Sequence, residues 1–227
     1  LERSTTAGGP IALVAPGGVD PVPYLARAHL AGPRSAAPLV LVDSTSAHEH
    51  DAARWEDPSN SPLAFADKGM LVLLDAAALP REVQSFIARV WSEGRPPWAH
   101  VEPLDVQIAL TSREPPDQLV AEGRLDLALA LRLSDARVTP IVLPRLRDRP
   151  EDLRALVTDH LARQGLRALG RPVGIEQAAY ARLVEYDFPG DEAELAVIAE
   201  RLVTRCAGRG GRDVVSVEDL DGFLVTS

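Results

Sequence analysis

As far as Pro144, short apolar runs alternate with amphipathic stretches. Pro10–Ala15 (PIALVA) runs into Pro16-Gly17-Gly18, the pattern of a buried strand entering a turn. Pro38–Val42 (PLVLV) and Leu71–Leu74 (LVLL) predict two more strands, the second buried on both faces because it does not alternate. Val106–Thr111 (VQIALT) and Val138–Leu143 predict a fourth and a fifth. Between them lie helices. Pro21 to Leu30 has Asp20 as cap and Pro21 at the first position. Pro80 to Gly94 carries Val83, Phe86, Ile87 and Val90 on one face at helical spacing. Pro116 to Glu122 and Leu125 to Leu133 supply two more, while His48 to Ser61, rich in Asp, Ser, Asn and Pro, reads as mostly loop. Strands alternating with helices predict a parallel α/β sheet with helices on both faces.

Past Arg149-Pro150 the apolar runs lose strand character. Glu151 to Gln164, Ile175 to Glu185 and Asp191 to Cys206 show helical periodicity, with Gly165, Gly170 and Gly190 as stops. Ala207–Arg212 (AGRGGR) reads as a flexible link before Val214–Leu220. The expected organisation is an α/β domain over residues 1–150 and a small helical domain over 151–227.

With 46% apolar residues in 227, the chain can bury a substantial core. A net charge of −9 argues against nucleic-acid binding through the overall field, though not against a local basic patch. One cysteine, Cys206, excludes an internal disulfide framework and a multi-cysteine zinc site, so a cytoplasmic location and a buried structural thiol are expected. No apolar run approaches the ~20 residues that span a bilayer. The sole methionine is Met70, so the sequence reads as a fragment of a longer protein.

Several motifs, in order, sharpen the picture. Ala66–Leu73 (ADKGMLVL) resembles the A-D-G-G-T-L-F-L stretch before the Walker B acids of sigma-54-dependent enhancer-binding activators. Pro80–Gly94 (PREVQSFIARVWSEG) is similar to their P-x-x-V-Q-x-x-L-L-R-V-L-x-x-G helix, and Ile108–Arg113 (IALTSR) to their I-A-A-T-N-R strand. Leu143–Leu153 (LPRLRDRPEDL) resembles L-P-P-L-R-E-R-x-E-D-I, and Phe188–Leu195 (FPGDEAEL) resembles W-P-G-N-V-R-E-L. The likeness covers most of the chain and is faintest before Ala64. It implies an AAA+ fold: a P-loop-type parallel sheet flanked by helices, followed by a small helical lid subdomain.

Against that family the chemical positions are depleted. A P-loop cradles phosphates with backbone amides, a Lys and a Ser or Thr. The matching stretch here, Ala15–Leu25 (APGGVDPVPYL), has no Lys, Ser or Thr, and Pro21 and Pro23 each remove an amide. The chain's one lysine, Lys68, lies elsewhere. Ungapped alignment sets Leu74 on the magnesium-binding Walker B aspartate and Asp75 on the catalytic glutamate. A register one residue off makes Asp75 the aspartate and leaves Ala76 for the glutamate. The lead-in Glu122-Gly123-Arg124-Leu125 places Asp126 on the first trans-acting arginine and Arg132 on the second. The sensor II arginine falls on Ala193, and nothing between Val42 and Phe65 resembles the G-A-F-T-G-A loop.

The resemblance therefore implies a catalytically inactive AAA+ domain of an enhancer-binding-protein-like regulator, serving transcriptional control as a protein-interaction or oligomerisation module. The partner is a protein that the sequence does not name. DNA contact is expected only through domains outside this sequence, and neither a membrane nor a nucleotide-dependent hexamer is expected. A second class of reading is a nucleotide sensor that binds ATP or ADP without hydrolysis, with Asp75, Thr111 and Arg132 as the surviving contacts. A third is an ATPase completed by a partner's cation. No resident cofactor or metal is expected: His48-Glu49-His50 offers two imidazoles one residue apart in a polar loop, a weak ligand set. Arg201, Arg205, Arg209 and Arg212 read as helix-end charges, Trp91 and Trp98 as packing residues, and Arg145, Arg147 and Arg149 as ion-pair partners at the domain junction.

Overall fold

The computed structural model describes residues 9–98, 103–135, 138–210 and 212–222. They divide into two compact units: residues up to Pro16 together with Pro21–Leu143, and Gly17–Asp20 together with residues from Pro144 on. Each has its own apolar core.

The first unit is built on five parallel strands: β1 (Ile11–Val14), β2 (Leu39–Asp43), β3 (Met70–Leu74), β4 (Gln107–Ser112) and β5 (Ile141–Val142), in the order β2-β3-β4-β1-β5. β1, β3 and β4 are the inner strands, and their apolar runs are buried as lack of alternation requires. Helix α1 (Val22–Ala31) follows β1. Pro21, not Asp20, occupies its cap position, and no side chain caps it. The segment expected to be loop holds a 3₁₀ turn (Ala47–His50), α2 (Ala52–Glu56) and, just beyond, α3 (Pro62–Phe65). Asp51 starts α2 by accepting the amide of Ala53 (3.0 Å). Trp55 is fully buried, and its indole N–H donates to the Glu49 carbonyl (3.0 Å). One buried aromatic thus organises a polar segment.

Helix α4 (Arg81–Glu93) buries Val83, Phe86, Ile87 and Val90. At roughly 1.5–3 kcal/mol for each fully buried side chain, that face holds the helix on the core. Helices α5 (Pro116–Ala121) and α6 (Leu127–Asp135) complete the unit, α6 packing on both α4 and α5. The aromatic rings of Phe86 and Trp98 lie 6.3 Å apart, a packing contact.

The second unit holds α7 (Pro150–Leu169), α8 (Gln177–Val184) and α9 (Asp191–Gly208), plus a small parallel pair, β6 (Gly174–Ile175) with β7 (Val214–Val215), that periodicity did not predict. Gly165 does not stop α7. It is buried inside it, where a Cβ would stand 2.6 Å from the Val173 amide nitrogen, so close approach of the returning chain requires glycine there. Of the Ala207–Arg212 link, Ala207 and Gly208 belong to α9, and Gly211 lies outside the described residues. No helix among the described residues is long and apolar enough to cross a membrane.

Candidate functional site

In parallel α/β sheets, ligands bind beyond the carboxyl ends of the strands. Asp75 is the first residue past β3, in the left-handed region (φ 54°, ψ 56°) that Asp tolerates better than most residues. Its amide donates to the Thr111 hydroxyl near the end of β4 (2.9 Å), and Arg113 Nε lies 3.3 Å from its carboxylate. The sheet therefore brings Asp75 and Thr111 together, with Arg113 as a neighbour that sequence reasoning had not given a role. Arg132 stands half-buried on α6.

Lys68 is at the opposite end of β3. It precedes the strand in a positive-φ turn (φ 61°), exposed, with its amide bonded to the Asp105 carbonyl (2.8 Å). Five residues of strand, roughly 17 Å, separate it from the carboxyl ends, so it does not replace a phosphate-loop lysine.

Asp126, at the first trans-arginine position, is a scaffold residue. Its carboxylate accepts the Ala128 amide (2.8 Å), as a helix cap does, and the Ser85 hydroxyl of α4 (2.8 Å). Its own amide donates to the Gln84 side chain (2.7 Å). Gln84 is fully buried and also donates to the carbonyls of Leu79 (2.7 Å) and Arg124 (3.1 Å). The glutamine of the V-Q motif thus ties α4 to the chain entering α6.

The turn after β1 offers little to an anion. Phosphate binding at a helix N-terminus uses the unsatisfied amides of the first turn. Pro21 and Pro23, at the start of α1, carry no amide N–H to contribute. The rest of the turn, Gly17–Asp20, belongs to the second unit and is bonded within it. The Gly18 carbonyl accepts the amide of Ala193 (3.1 Å), and the Asp20 amide donates to Glu192 Oε2 (3.2 Å). Gly18 (φ 92°) is packed so tightly that a Cβ would fall 2.2 Å from the Gly190 carbonyl oxygen.

Around this contact lies a buried polar cluster. Glu192 Oε1 pairs with Arg149 Nη2, and both residues are buried. Asp191, 1% exposed and at φ 57°, accepts the Leu146 amide (2.9 Å). Glu194 accepts the Gly190 amide (2.8 Å) and the Tyr186 hydroxyl (2.6 Å), and that bond pushes the Tyr186 phenol up to about 12. Arg149 was expected to form an ion pair. Asp152 does lie 3.7 Å away, but Glu192 is the buried partner.

The other candidates resolve into structure. Arg209 and Arg212 flank the fully buried carboxylate of Asp219 (3.0 and 2.9 Å), and Arg205 donates to the carbonyls of Asp219 and Asp221. Cys206 is a free, buried thiol, pushed above its ordinary range first by burial and then by Asp219. Glu49 pairs with Arg54, and the His50 ring nitrogen Nε2 lies 2.9 Å from the Ser44 carbonyl. Among the described residues no cluster of three His, Cys, Asp or Glu is placed to hold a metal ion.

Residues 147–226 match the AAA+ ATPase lid domain family. The acetoin catabolism regulatory protein of Cupriavidus necator is 34% identical over 86% of this chain. The nitric oxide reductase transcription regulator NorR2 of the same organism is 32% identical over 99%. The chain is homologous to the sigma-54-dependent transcriptional activators. It spans only 31% and 47% of those two relatives' own length. NtrX from Brucella abortus, in a crystal structure with ATP, has the same architecture: 25% identity, TM-score 0.79, covering 98% of this chain and 51% of that one. Thermotoga maritima RuvB, at 11% identity and TM-score 0.65, shares the fold. Sheet, helices and second unit together are an AAA+ fold.

Proposed function

We propose that this chain is a catalytically inactive AAA+ domain of an enhancer-binding-protein-like regulator, acting in the cytoplasm as a protein-interaction module in transcriptional control. The observation that carries the reading is the turn after β1. It has no Lys, Ser or Thr, has two prolines where amides would donate, and spends the Gly18 carbonyl and Asp20 amide on α9. Asp126 for a trans-acting arginine and Ala193 for sensor II weigh the same way, since a positioned charge at a transferring phosphate is worth orders of magnitude in rate. Phosphate release from MgATP by the purified protein is the test. Sustained, concentration-proportional turnover that survives repurification would overturn it.

The bond between Asp75 and Thr111 favours a second reading, a sensor that binds ATP or ADP without hydrolysis. NtrX, crystallised with either nucleotide, makes this worth testing. Thermal denaturation with MgADP separates the two. Ligand at 100 Kd stabilises by about 2.7 kcal/mol, whereas a chain that does not bind melts unchanged.

A further inference from the structure

The first residues of α9 depart from the motif they otherwise follow in a particular way. Where W-P-G-N-V-R-E-L has an apolar residue and then an arginine, this chain has Glu192 and Ala193. A cation has gone, and an anion has appeared beside it. Carboxylates are seldom buried unless paired, because desolvation costs several kcal/mol per ion. Glu192 is 9% exposed and therefore needs donors. It has two of them: a guanidinium nitrogen of Arg149 and the backbone amide of Asp20, in the turn after β1. A buried guanidinium and a turn amide converging on one anion are the donor types that hold a phosphate oxygen.

We propose that Glu192 is a resident anion for the turn after β1. Its carboxylate receives the contacts that a bound phosphate would receive, and clasps Gly17–Asp20 to the start of α9 without any nucleotide. The clasp has a second stitch, Ala193 N–H to the Gly18 carbonyl, one residue further along α9 and two residues back along the turn. Gly18 makes the approach possible: its φ is 92°, and a Cβ there would fall 2.2 Å from the Gly190 oxygen, so no side chain fits. In functional terms, the turn is fixed whatever the nucleotide concentration, so this module is held in one state rather than switched. That consequence rests on the inactive reading above. The clasp itself rests on the contacts alone.

The test is amide hydrogen exchange by NMR on the whole 227-residue chain. The Arg149→Met/Glu192→Val double variant removes both charges together, leaving no buried ion unpaired, and takes away the acceptor of the Asp20 amide. Exchange at Asp20 and Ala193 is read as a ratio to Leu202, deep in α9, so that a general loss of stability cancels. Both ratios rise about tenfold or more when a charge-assisted bond that closes the turn is lost. Gly18→Ala attacks the clasp from the other side and raises the same two ratios. Ratios within about twofold of wild type in the folded double variant would overturn the clasp. So would a rise at Asp20 with Ala193 unmoved, since the stitches then do not act together. ATP turnover in the wild-type sample would overturn the inactive reading and leave the exchange result standing, so the two failures are distinguishable.

Discussion

Arg149→Met on its own tests how far the second unit depends on the buried pair. Methionine keeps a long apolar stem where the guanidinium stem lay, and removes only the charge and its donors. Arg149 is 6% exposed and Glu192 9%, so the carboxylate left behind has little access to water and keeps the Asp20 amide as its remaining donor in the cluster. Removing one partner of a buried pair typically costs about 3–5 kcal/mol. The residual exposure and that remaining amide place this site at the lower end, about 3 kcal/mol. The double variant Arg149→Met/Glu192→Val loses the Asp20 bond but leaves no stranded charge, so its cost is about 1–2 kcal/mol.

Cys206 makes the measurement simple. It is the only thiol in the chain and is fully buried in the core of the same unit, so its labelling by an aromatic disulfide reports opening of that core. When opening is fast and reversible, the labelling rate follows the opening equilibrium, and about 1.4 kcal/mol is a factor of ten. The single variant should label about a hundredfold faster than wild type, and the double about tenfold faster. The three tryptophans, at 55, 91 and 98, all lie in the first unit and serve as an internal control, since their emission should not change. A single variant within about threefold of wild type, or a double that labels faster than the single, would refute the stranded-charge argument.

Val22→Lys should give no ATP turnover in a phosphate-release assay, because Pro21 and Pro23 still withhold their amides. A clear gain of hydrolysis would mean that the turn after β1 has been misread. Light scattering with and without an ATP analogue and magnesium should give one mass. A six-subunit species appearing only with nucleotide would contradict the reading in which Asp126 stands where a trans-acting arginine would reach a neighbour's phosphate. The Tyr186 phenol, raised above the usual ~10 because its neutral form donates to Glu194, should titrate at about 12 by ultraviolet absorbance. The contribution of that bond is therefore full below about pH 10 and is lost as pH rises through the folded value, and Glu194→Gln should bring the titration back toward ~10.

The sheet was legible in the sequence because its inner strands are buried on both faces, and unbroken apolar runs such as Leu71–Leu74 leave few alternatives. Helix α4 was legible from one face at helical spacing. What failed did so for local reasons. Gly165 reads as a stop by composition, yet its work is to let Val173 approach, a contact eight residues away that no window sees. His48 to Ser61 has Trp55 as its one large apolar side chain, and that buried indole turns a predicted loop into two short helical turns. The motif comparison names the candidate chemical positions one by one, but not what the residues there do. Asp126 is a cap, and Gln84, which keeps the V-Q motif, is a three-way tie. The signal for Glu192 was present in the motif comparison: an acid at an apolar position at the head of a buried helix must find a partner. Its partners, Arg149 and Asp20, lie 43 and 172 residues away along the chain, where spacing carries no information.

These replacements share a direction. A nucleotide-driven AAA+ domain keeps charged groups unsatisfied until phosphate arrives, since free donors are what the phosphate binds. On the inactive reading proposed above, the positions that the motif comparison sets on charged groups are either apolar, like Ala193, or bonded to the protein itself, like Asp126, and the acid next to Ala193, Glu192, is bonded to Asp20 and Arg149. Satisfying such groups internally stabilises the fold, because a buried polar group without a partner costs about 1–3 kcal/mol. On that same reading it also removes the differential interaction through which a ligand could shift one conformation against another, since a ligand with equal affinity for two states shifts neither. Asp75 with Thr111 is the place where the pattern is least complete: Asp75's carboxylate is only partly covered, and its ion pair to Arg113 is solvent-exposed on the arginine side. Any nucleotide response that survives in this domain should therefore act through Asp75 and vanish in Asp75→Ala, while the Gly17–Asp20 turn stays as it is.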